Sequence, residues 1–137
     1  MRVIGIEAKD FSAGEFVIES LDMAVKDKRL MLEDLVLVER EAGGKVKIHQ
    51  TKGLLNLGRL RDRGVSDELM KSVGETLEPG QTIVFALGSE EAIQAIDQRV
   101  KEISPEGDFP TFTVDPHSPN ALAEATAQLA RDEAPGT

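Results

Sequence analysis

The chain has no cysteine, no tryptophan and no tyrosine, and only two histidines. Without cysteine there is no disulfide, no thiol nucleophile and no cysteine metal site. Five phenylalanines are the whole aromatic content, so the core must be largely aliphatic. The interleaved aromatics on which nucleic-acid bases stack are missing as well. Long apolar runs are absent: Leu35–Val38 and Ile83–Leu87 are of strand length, far below the roughly 18 to 20 residues that span a bilayer. The opening MRVIGIEAKD does not have the pattern of a signal peptide. A cytoplasmic protein with no membrane span is therefore expected.

Catalytic motifs are equally scarce. Gly43-Gly44-Lys45 lacks the frame of a phosphate loop and lies between two strands. Gly53, Gly58 and Gly64 are too widely spaced for a dinucleotide fingerprint. Ser12, Ser66, Ser89 and Ser118 each stand where a helix needs a cap, and none lies in a GxSxG elbow. The acidic pairs Asp67-Glu68 and Glu90-Glu91 suit helix starts, and Asp132-Glu133 reads as a solvated end. Neither His49 nor His117 has a second histidine or an acid at ligand spacing. No catalytic residue, cofactor site or metal site is assigned, and the reading favours a non-enzymatic protein.

What is present is a chain of 137 residues with 40% hydrophobic and 30% charged residues, ordinary for one globular domain. A single domain is expected over 1–132, with 133–137 as a frayed tail. The net charge of −9 is unevenly placed. Six basic residues (Lys45, Lys47, Lys52, Arg59, Arg61, Arg63) stand between Lys45 and Arg63 against one acid, Asp62, which gives +5. The rest of the chain holds ten basic and twenty-four acidic residues, or −14. Such an acidic body repels phosphates, so nucleic acid is not expected as a partner.

The stretch Glu33–Thr51 reads as two strands joined by a tight turn. Leu35 to Val38 is a continuous apolar run, as in a strand covered on both faces. In the second arm Val46 and Ile48 point one way and Lys45, Lys47 and His49 the other. Gly43 and Gly44 supply the positive φ of the turn. Before this hairpin, Arg2–Ala8 suits a strand, and Gly5 within it suggests a close approach by a neighbour. Ser12 and Glu15 form a capping-box pattern for a helix to about Arg29. After it, Lys52–Gly64 reads as a loop. A short helix follows from Ser66, with Leu69, Met70, Val73 and Leu77 inward, then a buried strand Thr82–Leu87. Ser89 caps a helix with Ile93, Ile96, Val100 and Ile103 on one side. Phe109–Val114 is an edge strand, because Pro110 lacks a ladder donor, and an Ala-rich helix runs from Pro119 to about Asp132. The order β-α-β-β-α-β-α-β-α is α+β. Without the second hairpin arm and the short helix it reduces to a ferredoxin-like βαββαβ sheet with helices mainly on one face.

Two phrases, GKVKIHQT (Gly44–Thr51) and GETLEPGQTIVFAL (Gly74–Leu87), resemble a group of bacterial proteins known as a domain of unknown function and often labelled predicted membrane proteins. The similarity spans about Val3 to Ile103. Those proteins carry a long Gly/Ala-rich apolar hairpin after the KIHQT-like arm, where this chain has only LLNLGRLRDRG. The resemblance therefore implies the fold and not the membrane location, and it brings no catalytic residues.

The function expected is binding, through self-association and contact with another protein. Lys45, Lys47, His49, Lys52, Arg59, Arg61 and Arg63 are the candidate contacts for a small anion or an acidic protein, since guanidinium forks suit carboxylate and phosphate. A homodimer or higher closed oligomer is expected, because an apolar second sheet face needs cover and the Ala-rich last helix offers only Leu122 and Leu129. The alternative is an anionic-ligand sensor or small ferredoxin-like enzyme built on the 52–63 loop.

Overall fold

In the computed structural model, which describes residues 1–50 and 67–115, the elements follow the expected order. They are β1 (Arg2–Ala8), α1 (Phe11–Lys26), β2 (Leu32–Arg40), β3 (Val46–Gln50), α2 (Asp67–Gly74), β4 (Thr82–Gly88), α3 (Glu90–Ile103) and β5 (Thr111–Val114). The Lys52–Gly64 loop, Ser66, His117 and the expected helix 119–132 lie outside the described residues, as does the 133–137 tail. The strands form one antiparallel sheet in the order β3-β2-β4-β1-β5. The class is α+β, with five strands among the described residues rather than the four of a minimal ferredoxin-like sheet.

Strand alternation sorts the apolar side chains into two cores. Ile4, Ile6, Leu35, Leu37, Val84 and Ala86 face α1 and α3, meeting Val17, Leu21, Ile93, Ile96 and Val100. Val3, Val36, Val38, Ile83, Phe85, Leu87, Phe112 and Val114 face the other way, with Met70 and Val73 of α2 and Leu77 just beyond it. Val46 and Ile48 of β3 pack on this second side, as their parity requires. Leu35–Val38 is thus covered on both faces. The second face, which was expected to call for another copy of the chain, is buried within the single chain: Val3, Leu87, Phe112 and Val114 are all at most 4% exposed. The physical ground for a dimer through that face is removed.

Gly5 bears out the expected close approach. A Cβ there would meet the Phe112 ring at 2.2 Å, so the ring lies directly over the β1 backbone. Phe112 then meets Phe85 edge-on, with centroids 6.1 Å apart. Among the described strands β5 lies at the sheet edge, as Pro110 predicted, and the Pro110 carbonyl accepts from the Glu7 N–H at 2.9 Å.

Three local expectations need correction. The cap of α1 is Asp10, whose carboxylate accepts from the Ala13 N–H at 2.8 Å, so Ser12 lies inside the helix. In the hairpin turn only Gly44 has positive φ, +94°. The Gly44 N–H donates to the Glu41 carbonyl and the Glu41 N–H to the Lys45 carbonyl, each at 2.8 Å, which is a three-residue turn with one left-handed position. Helix α1 stops at Lys26, short of Arg29, because Lys28 turns left-handed at φ 60°. The Lys28 N–H reaches the Val25 carbonyl and the Arg29 N–H the Ala24 carbonyl. That pair of bonds is a Schellman stop, with lysine where glycine is usual.

Candidate functional site

Of the seven residues singled out from sequence, Lys52, Arg59, Arg61 and Arg63 lie outside the described residues. Lys45, Lys47 and His49 stand on the hairpin, on the side away from Val46 and Ile48. Lys47 pairs with Glu41 at 3.2 Å, and His49 Nε2 lies 2.9 Å from Glu39 Oε1. The His49 ring also lies 5.3 Å from that of Phe11. Two of the three side chains therefore already have carboxylate neighbours on their own hairpin. Among the described residues no group of three or more His, Asp or Glu side chains is placed to hold a metal ion. None of the described helices is long and apolar enough to cross a membrane.

Two buried carboxylates were not anticipated. Glu7 and Asp34 are 3% and 1% exposed, and neither is without a partner. The signal was present in RVIGIEA and EDLVLV, where an acid sits inside an otherwise apolar strand. Glu7 is opposite Ile83 and Asp34 opposite Leu87, so they stand roughly 13 Å apart along the strands alone. That separation rules them out as a catalytic pair.

A concavity lies on the opposite side of the sheet, between α1 and α3. Helix α1 packs on β1, β2 and β4, and α3 on β1 and β4. A groove of about 470 Å³ remains between them, within the range of small-molecule sites. Its walls are Phe16, Val17, Leu21 and Ala24 on one side and Ala95, Ile96, Val100 and Ile103 on the other, with Leu30 and Phe109 closing it. Phe16 and Ile103 are 51% and 45% exposed. Ile103 shares the stripe of Ile96 at heptad spacing, as expected, but as the last residue of α3 it is left at the groove rim. The charged lining residues are Arg29 and Arg99.

Neighbouring this groove, Asp97 ties α3 to the edge strand. Its carboxylate accepts from the Thr111 hydroxyl at 2.6 Å and from Lys101 Nζ at 2.9 Å. Burial acts to raise its pKa, but the Thr111 hydrogen bond and the Lys101 ammonium together outweigh it and hold the carboxyl below its ordinary value.

Comparison with known families, with curated proteins and with solved structures finds no match to this chain.

Proposed function

We propose that this chain is a non-enzymatic binding module whose contact surface is the groove between α1 and α3. The observation that carries this is the groove itself: an apolar cleft of about 470 Å³ with Phe16 and Ile103 half-exposed at its rim. Large apolar side chains left at the rim of a concavity are what a binding site retains against the cost of exposing them. A cytoplasmic setting belongs to the same reading. The scaffold is read as ferredoxin-like with β3 as an added edge strand. Leaving out β3 gives β2-β4-β1-β5, in which α1 links β1 to β2 across β4 and α3 links β4 to β5 across β1. Such interleaving of two split βαβ units supports that reading. The resemblance to the bacterial family rests on Gly44–Thr51 and Gly74–Leu87, whose described residues do not line the groove, and so adds nothing to the site.

Self-association through the helical face is the second reading. It is favoured by Met23, which stands 60% exposed on α1 one heptad beyond Phe16. Native mass spectrometry of freshly purified protein separates the two. The expected spectrum is a 14.9 kDa protein carrying a small-molecule adduct. A dimer that Met23→Glu dissolves supports self-association instead. A bare monomer that accepts no apolar probe overturns both.

A further inference from the structure

The chain carries twenty-five acidic residues against sixteen basic ones, yet the charged groups lining the groove are both arginines. Each has an acidic neighbour, and both pairs are loose. Arg29 lies 3.2 Å from Asp27 with the two side chains 66% and 60% exposed. Arg99 lies 3.8 Å from Glu102, again mostly in water. Exposed pairs of this kind contribute little, so either guanidinium is free to exchange its partner.

The groove also has two unlike ends. β1 and β4 are antiparallel, and each helix returns against the strand before it, so α1 and α3 run in opposite directions. Phe16 and Ile103 stand toward one end with Phe109, while Arg29 and Leu30 stand toward the other. Arg99 lies in the C-terminal half of α3, four residues from Ala95 and four from Ile103. The Ser20 hydroxyl donates to the Phe16 carbonyl at 2.8 Å, so its proton is already used within α1.

From this we infer that the groove binds an amphipathic monocarboxylate, its carboxylate paired with Arg29, its alkyl body lying toward Phe16, Ile103 and Phe109, and Arg99 adding positive charge along the wall. The inference rests on the groove being the binding surface. Guanidinium forks match a carboxylate in two parallel hydrogen bonds, and they lose less hydration than an ammonium would. A neutral apolar ligand leaves the arginines without a role. A polyanion such as a nucleotide meets mostly hydrocarbon here and only two cations.

The test is calorimetric titration of the protein with decanoate, decanol and decyltrimethylammonium, each below its aggregation limit. Decanoate is expected to bind about tenfold more tightly than decanol, one charge-assisted contact's worth, and the cation weakest. Arg29→Gln with Arg99→Gln should bring decanoate down to the decanol level without moving the melting temperature. Phe16→Ser should weaken decanoate and decanol alike. Phosphatidylglycerol vesicles should not carry the protein down on sedimentation. Equal binding of decanoate and decanol, or indifference to the arginine substitutions, overturns the carboxylate assignment and leaves the groove standing as a binding surface. Sedimentation with vesicles without decanoate binding overturns it in favour of a lipid headgroup. Failure of every probe, on a protein that is also a bare monomer, removes the groove reading too.

Discussion

The two faces of the sheet are built from alternate residues of the same strands, yet they end differently. On the α2 face, Val3, Val36, Leu87, Phe112 and Val114 are sealed, and even an acid, Glu7, is buried among them. On the α1/α3 face the sheet residues are just as well buried, but the helices that cover them do not close on one another. The contrast lies in the second layer and not in the sheet. A helix pair set apart buries its inner stripe and leaves its flanks, Phe16 and Ile103, for something else to cover.

The strongest way to break the contrast is at Gly5. Valine there places methyl groups inside the Phe112 ring, whose nearest atoms are 2.2 and 2.3 Å from a Cβ. The ring must leave its site, and the expected loss is about 3 kcal/mol by denaturant titration. Retention of full stability would mean the closed face can yield.

At the hairpin edge of that same closed face, Gly44→Val should cost about 2 kcal/mol, because a β-branched residue is strained at φ +94°. Gly43→Val, with nothing within 4 Å of its Cβ and no positive φ, should change stability by less than about 0.5 kcal/mol. Equal effects would place the left-handed residue elsewhere.

On the open face, Asp97→Asn should lower stability by about 1 kcal/mol at neutral pH by weakening the contacts to Thr111 and Lys101. The sign with pH follows from a folded pKa held below the ordinary 3.8. The contribution is complete above that value and is lost as pH falls through the folded pKa. Thermal melts of both proteins should therefore differ from pH 5 to 8 and converge in stronger acid. The smallest effect belongs to Phe16→Ser, within about 0.5 kcal/mol, since half of that ring is already in water. A loss near that of Gly5→Val would show that the groove is core and not site.

Much of the scaffold was legible because parity is a local property. Leu35–Val38, Val46/Ile48, the edge status of β5 and the Gly5 approach all follow from which residues neighbour one another in sequence. The α1 cap was misassigned because Asp10 and Ser12 are both good caps two residues apart, and only the fold decides which meets an N–H. The groove was not legible at all. Phe16 and Ile103 sit on helices whose stripes look continuous, and whether such a residue is core or rim depends on how far apart two helices land on the sheet. Glu7 and Asp34 were visible as acids in apolar strands, but their burial depends on strand order.

That order also decides when the molecule can be finished. Of the four pairings among the described strands, only β2–β3 joins consecutive strands. β1 lies between β4 and β5, and the Arg2 guanidinium reaches the Thr113 hydroxyl across 111 residues of sequence. Pairings this remote carry the loop-closure entropy that slows folding. During synthesis β1 must wait for β5, made about a hundred residues later. Until β5 emerges, the segment Val3-Ile4-Gly5-Ile6 remains an incompletely paired apolar strand, the kind of surface on which nascent chains aggregate. Gly5 softens that hazard, since a strand with no side chain at its centre is a poorer template for another copy than an unbroken run of isoleucine and valine.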